Sequence, residues 1–334
     1  MNYDLIIIGA GSTGSCIAYE AVKRGLKVAL IDSGDIGGGT SCRSTKLLHG
    51  GVRYLELAFK SLDISQLRLV KEALTEREHW LKAAPFLTHR IKLGLPTHSA
   101  LEQTYYRLGL YLYDRLAGKQ NTFKSKKISR VQIKQSLPLI KDNLNGGIVY
   151  NDGQFNDSRL NLTLALTAER EGACLKTYCK LIKLNHDSNG KLSGITIESN
   201  SGRQEELNGS AIINAAGINV DNIRDMACPG IDSKTIISRG IHLVLKEELC
   251  PEGMGLLIPS TEDGRVLFVL PFFGKTQVGT TDTRCTNKNA QKPSDEEKKY
   301  LIEYVKKWFP TIGEPTVKSA WAGGRPLLKP NKGK

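Results

Sequence analysis

Asp4-Leu5-Ile6-Ile7-Ile8-Gly9-Ala10-Gly11-Ser12-Thr13-Gly14 is an apolar run that breaks into three glycines at G-x-G-x-x-G spacing. A second apolar run, residues 27–31, ends on Asp32, eighteen residues past the third glycine. The glycines alone are a weak signal. Between a strand and an amphipathic helix, with an acid at that distance, they describe a βαβ dinucleotide site. Gly9 permits the strand-to-helix turn, Gly11 lets a pyrophosphate approach the backbone, and Gly14 lets the helix pack on the sheet. The free N–H groups and positive end of the helix starting near Ser12 suit a diphosphate. Asp32 is placed to accept hydrogen bonds from an adenosine ribose, and its charge would repel the 2′-phosphate of NADP.

The chain has 334 residues, enough for two domains, and its apolar fraction of 40% can fill sizeable cores. No run approaches the roughly 18 apolar residues of a membrane span. The first strand starts at residue 3, which leaves no room for a signal peptide, so cytoplasmic residence is expected. Seven cysteines form no C-x-x-C pair and are odd in number, so neither a metal site nor a disulfide framework is expected. Net charge is +13, and residues 60–142 hold much of the excess, with 16 Lys/Arg against 7 Asp/Glu. Such a face suits an anionic lipid surface or an anionic substrate, or is simply a solvated basic surface. No aromatic-interleaved basic motif accompanies the charge, which argues against nucleic acid.

Beyond Asp32 comes a glycine-rich loop, then a segment to about residue 140 that reads as mainly helical and basic. Leu67, Val70, Leu74 and Leu81 there mark one helix face. Residues 105–116 alternate leucines with tyrosines and basic side chains, as a buried helix or one lying on a membrane would. Residues 156–171 read as a helix with Asp157 as its N-cap, residues 173–184 and 192–198 as strands, and residues 211–217 as a strand ending in small residues. Four closely spaced strands between residues 240 and 280 suit an antiparallel sheet. Residues 288–308 read as a charged helix, and residues 319–328 as a return to glycine-rich chain.

Four blocks in order resemble FAD-dependent glycerol-3-phosphate dehydrogenase, within the D-amino-acid-oxidase-like flavoproteins. They are the N-terminal fingerprint; Arg43-Ser44-Thr45-Lys46-Leu47-Leu48-His49-Gly50-Gly51-Val52-Arg53-Tyr54-Leu55-Glu56; Ala215-Ala216-Gly217; and Val278-Gly279-Thr280-Thr281-Asp282 with Gly324-Arg325-Pro326-Leu327. The resemblance implies an α/β fold in which a flavin-type Rossmann domain is interrupted by an α+β substrate domain with a mainly antiparallel sheet. Residues 1–58, 146–234 and 319–334 would form the first, and residues 59–145 and 235–318 the second. It also implies oxidation of sn-glycerol 3-phosphate to dihydroxyacetone phosphate, with electrons passing through FAD to a quinone. A peripheral position on the inner face of a membrane follows from it, and an anionic membrane surface and a homodimer stand as candidate partners.

On that resemblance Gly9, Gly11, Gly14 and Asp32 hold the AMP half of FAD. Thr40, Ser41, Ser44, Thr45 and Lys46 line its ribityl and pyrophosphate side, Leu47 and His49 approach the isoalloxazine, Ala215, Ala216 and Gly217 pass beside it, and the Lys180 backbone meets the adenine. Arg53, Tyr54, His242 and Arg325 face the substrate, with Thr280 and Thr281 nearby. Arg53 and Arg325 each offer a planar fork of donors suited to a phosphate dianion. Oxidation of an alcohol releases a hydroxyl proton, which His242 or His49 would take while Arg325 stabilises the developing charge. No metal enters this scheme.

The chain departs from the family pattern in three places. Asp32 replaces a more usual glutamate, Gly217-Ile218-Asn219 replaces Gly-Pro-Trp, and the sequence stops at Lys334, ahead of a family segment that carries a further phosphate-binding lysine. A C-terminally truncated chain is therefore expected. Two other readings remain open at this stage: an oxidase of the same group acting on an amine or hydroxy acid, and an inactive FAD-binding fragment.

Overall fold

The computed structural model describes residues 2–51, 64–118, 123–262 and 264–330. The chain begins with β1 (Asn2–Ile8), α1 (Ser12–Lys23) and β2 (Val28–Ile31), the unit expected from the fingerprint. There follow β3 (Leu47–Leu48), α2 (Ile64–Ala83), β4 (Thr88–Thr97), α3 (Ala100–Ala117), β5 (Lys126–Ser129) and α4 (Arg130–Ser136). Next are β6 (Gly146–Phe155), α5 (Asp157–Arg170), β7 (Cys174–Lys176), β8 (Cys179–His186), β9 (Leu192–Ser199), β10 (Gln204–Asn214) and α6 (Val220–Ala227). The last part holds β11 (Thr235–Leu245), β12 (Met254–Ile258), β13 (Leu267–Phe272), β14 (Lys275–Gly279), β15 (Thr283–Cys285), α7 (Asp295–Trp308) and β16 (Val317–Leu328).

The strands form two sheets. One has six strands in the order β7-β2-β1-β10-β9-β8, parallel from β7 to β10 and antiparallel beyond. Its β1 reads as a continuous apolar run because both faces are covered. Ile7 and Leu30 pack with Ala18, Ala165 and Ala168 of α1 and α5, while Ile6, Ile8 and Ile31 pack with Leu181 and Ile195. The alanines let the helices lie close to the sheet.

The second sheet has ten strands and is mainly antiparallel, β12–β4 being a parallel pair. Its two cores take Leu301, Val305 and Trp308 from α7, and Val70, Leu74, Leu110 and Tyr113 from α2 and α3. Leu67, Val70 and Leu74 thus behave as the helix spacing predicts. Leu110 and Tyr113 are buried on α3, while Leu101, Tyr105, Leu108 and Tyr111 of the same helix are exposed.

Several expectations are corrected by this topology. Residues 146–155, expected in the dinucleotide unit, form β6, which pairs with β4 over ten residues of the second sheet. Residues 319–328 are not irregular chain but part of β16, antiparallel to β11 from Thr235↔Leu328 to Leu245↔Val317. Its glycines serve close approach: a Cβ on Gly324 would meet Ala290 at 2.8 Å. The segment expected to be mainly helical contains β4, where Ile91, Leu93 and Leu95 alternate inward at period two. The charged helix starts at Asp295 rather than 288, because Ser294 and Glu297 form a capping box just after Pro293. Residues 173–184 divide into β7 and β8, with Tyr178 at φ +55° between them.

Candidate functional site

The dinucleotide turn is built by exclusion of side chains. Gly9 has φ +108°, and a Cβ there would lie 2.5 Å from the Ala215 carbonyl oxygen; a Cβ on Gly14 would lie 1.8 Å from the Gly9 carbonyl oxygen. At Gly11 the neighbour is a side chain, Ser41 Oγ, 3.0 Å from such a Cβ. The start of α1 has no side-chain cap from Gly11 and no acid in its first turn, and the Ser12 amide donates to Ser41 Oγ at 2.9 Å. Asp32 accepts from the amides of Ala10 (2.7 Å) and Gly34 (2.8 Å), so it holds the turn in shape. A cradle that Cβ atoms would fill, opening on an uncompensated helix N-terminus, fits the diphosphate of FAD. Ala215 is tied to β1 through its amide on the Ile8 carbonyl at 2.8 Å, and beyond it the chain leaves the strand at Ala216 and turns into a short 3-10 helix, Gly217–Asn219, with Gly217 at φ +55°. Lys180 is exposed on β8, next to Cys179, whose amide donates to the Asp32 carbonyl at 2.8 Å.

The loop after Asp32 carries the chain from the first sheet to the second. The Thr40 hydroxyl donates to the Gly324 carbonyl at 2.6 Å, and Leu47 enters β3, which pairs with β6. Between them Asp157, fully buried, accepts from the Ser44 amide (3.1 Å) and hydroxyl (2.8 Å) and forms an ion pair with Lys46. The expectation that Asp157 caps the helix is corrected here. Asn156 is the N-cap, its side chain accepting from the Arg159 amide, and Asp157 is the anchor of the loop. Lys46 itself sits at φ +59° with its ammonium 5.2 Å over the Trp321 ring.

Between α3 and the second sheet lies a cavity of about 690 Å³. Thr45, His49, Thr280, Thr281 and Arg325 all line it, so residues 280 positions apart in sequence meet there. Arg325 donates to Thr280 Oγ1 at 3.0 Å and to the Thr281 carbonyl at 3.2 Å, and lies 3.8 Å from Asp282. His49 is exposed at the cavity, its ring stacked 6.3 Å from Phe268. His242 is different. It is 2% exposed and absent from the lining, and burial, with Arg325 and Lys46 adding to it, pushes its pKa down to about 3. Of the two histidines considered for proton removal, only His49 faces the cavity. Arg53 and Tyr54 lie outside the described residues.

Beside His49 lies a buried polar network that no sequence motif announces. Tyr113 accepts from the Gly50 amide at 2.7 Å and donates to Asp152 at 2.8 Å; Arg77 donates to Asp152 at 2.7 Å and pairs with Glu78 at 3.0 Å. Burial pushes the Asp152 carboxyl above its usual range while Arg77 pulls against it. The network fixes the backbone beside His49, and Asp152 also lines the cavity. An acid within β6, two residues past Ile148-Val149-Tyr150, is the available signal, since buried charges need partners.

All seven cysteines are free, and among the described residues no cluster of His, Cys, Asp or Glu could hold a metal. Among the same residues no helix is long and apolar enough to cross a membrane.

Comparison with known proteins is consistent with this geometry. The profile of the family described as FAD dependent oxidoreductase matches residues 4–333. The mitochondrial glycerol-3-phosphate dehydrogenase of Arabidopsis thaliana is 40% identical over 97% of this chain and 53% of its own length; that of Homo sapiens is 39% identical over 98% and 46%. The chain thus spans about half the length of the curated relatives it matches. Among solved structures, glycerol-3-phosphate dehydrogenase from Bacillus halodurans complexed with FAD superposes with a TM-score of 0.77 at 27% identity, covering 98% of this chain and 57% of that one. Glycine oxidase from Geobacillus kaustophilus shares the fold, with a TM-score of 0.70 at 20% identity over 98% of this chain and 84% of its own.

Proposed function

Because the chain belongs to the FAD-dependent oxidoreductase family, we propose that it serves the oxidation of sn-glycerol 3-phosphate to dihydroxyacetone phosphate, the electrons going on to a quinone. The observation that carries this reading is the Arg325 fork held by Thr280 and Thr281 on a cavity that also contains His49. The names of the relatives at about 40% identity support the same substrate.

FAD, when bound, supplies the acceptor for a hydride from carbon. The chain's own residues do the rest. The glycine turn and Asp32 hold the AMP half, and Ser41, Ser44, Thr45, Lys46 and Leu47 hold the other half through a loop that Asp157 keeps in register. Arg325 binds and orients substrate oxygen with charge-assisted donors. His49 accepts the hydroxyl proton at a ring nitrogen, whose lone pair can serve as a general base. Arg53 and Tyr54, by their motif positions, add to phosphate binding.

Anaerobic mixing of the FAD-loaded chain with glycerol 3-phosphate, glycerol, lactate and amino acids tests the reading. Loss of flavin absorbance with glycerol 3-phosphate alone is expected. Bleaching by an amino acid or lactate would point to another oxidase of the group, and a yellow chain bleached by none of them to an inactive FAD-binding module.

The same reading places the chain at an anionic membrane surface, where a quinone is at hand. The exposed Leu101 and Tyr111 of α3, with exposed Arg107 and Arg115 on the same helix, support it. Sedimentation with anionic vesicles that weakens as salt is added is the expected result; no sedimentation at low salt removes this part.

A further inference from the structure

One buried polar contact at the cavity wall decides which way a hydroxyl points. His242 in β11 is held on both faces. Its ring stacks 5.6 Å from Trp321, and it lies so close to Gly279 that a Cβ there would be 2.1 Å from its Cδ2. Its Nε2 is 2.9 Å from Thr45 Oγ1, and its Nδ1 is buried with no hydrogen-bond partner among the described residues. Thr45 is itself fixed, since its carbonyl accepts from Gln277 Nε2 at 3.0 Å.

A neutral imidazole so placed has two tautomers. With the proton on Nδ1, a buried N–H would point at nothing, a situation rarer in folded proteins than an unfilled acceptor. With the proton on Nε2, the ring donates to Thr45 and leaves only a lone pair unfilled. Burial opposes a second proton, and the positive charges of Arg325 and Lys46 add to it. Thr45 Oγ1 then accepts from the ring, and its own hydrogen must find an acceptor elsewhere. Thr45 lines the cavity.

We infer that His242 is a positioning residue, not the proton acceptor: its Nε2–H turns the Thr45 hydroxyl into a fixed donor to the cavity, which selects ligand oxygens with free lone pairs beside Arg325. The inference deepens the proposed reading and rests on it only for the identity of the ligand.

Two measurements test it. In the full chain labelled with ¹⁵N-histidine, the resonances lost in His242→Asn identify this ring. They are expected to show a proton on Nε2 alone, unchanged between about pH 5 and 8. A midpoint near the free imidazole value of about 6.5, or a proton on Nδ1, would overturn the inference. This experiment needs neither turnover nor glycerol 3-phosphate, so it stands apart from the fate of the substrate proposal.

The second measurement uses His242→Gln, whose amide nitrogen can reach Thr45 but cannot act as a base. Flavin reduction by glycerol 3-phosphate within about twofold of the wild-type rate is expected, whereas at saturating FAD Thr45→Val should raise KM about tenfold, the size of one hydrogen bond, with partial rescue by Thr45→Ser. A fall of about a hundredfold or more in the reduction rate of His242→Gln with KM unchanged would restore the base role and refute the inference. Thermal unfolding of each variant separates a lost fold from a lost contact.

Discussion

At the scale of single residues, the three fingerprint glycines are not equivalent, and the difference lies in what each one faces. An alanine Cβ at Gly14 meets a backbone carbonyl at 1.8 Å, which no rotamer change relieves; at Gly11 it meets the end of a serine side chain at 3.0 Å. Gly14→Ala is therefore expected to cost about 3 kcal/mol in urea unfolding, as overpacking against backbone does. Gly11→Ala should stay within about 0.5 kcal/mol of wild type and instead lose FAD affinity, read by fluorescence titration; equal stability losses in the two variants would contradict this. His242 gives a second prediction. Its folded pKa of about 3 lies below the unfolded value, so under acidic conditions the unfolded chain binds a proton that the folded chain refuses. The associated stability is whole above about pH 6.5 and is lost as pH falls toward 3, with a slope of at most about 1.4 kcal/mol per pH unit. Between pH 7.5 and 5 the wild type should lose about 2 kcal/mol more than His242→Gln; parallel losses would mean that the ring is not protected from protonation.

At the scale of elements, the loop of residues 40–48 is held by the first residue of α5. Asp157→Ala strands the largely buried Lys46 ammonium and removes an acceptor from Ser44, and a broken buried pair costs about 3–5 kcal/mol. Replacing both partners with apolar residues (Asp157→Leu with Lys46→Met) is expected to cost less than Asp157→Ala alone, as denaturant midpoints will show; a double variant less stable than the single one would mean that the pair contributes more than its own desolvation. A carboxylate at a helix start is locally satisfied as cap or as anchor, and only the tertiary fold brings Ser44 and Lys46 to it. The βαβ unit was legible because its signals are local: apolar strands, glycines at fixed offsets and an acid at the strand end. β16 was not, because Gly323 and Gly324 carry no strand propensity and are there to admit Thr40, Arg43 and Ala290. The Tyr113–Asp152–Arg77 network joins α2, α3 and β6, and no spacing within one segment announces it.

At the scale of the whole molecule, the two sheets have different dependence on sequence order. The first takes β1 and β2 from the first 31 residues and its remaining strands from residues 174–214, whereas the second draws strands from residue 47 to residue 328. The cavity is built on the second sheet, and Arg325 reaches Thr280 and Thr281 only when β16 has laid itself along β11. The same strand also accepts the Thr40 hydroxyl at Gly324. During synthesis the dinucleotide turn thus leaves the ribosome some three hundred residues before the latch that secures its neighbouring loop. Cofactor acquired early would be held by one half of its grip and exchange freely, and retention would begin only when Gly324 emerges. Arrested nascent chains ending before β16 are expected to release FAD faster than chains that include it, a difference readable by chasing labelled flavin with unlabelled.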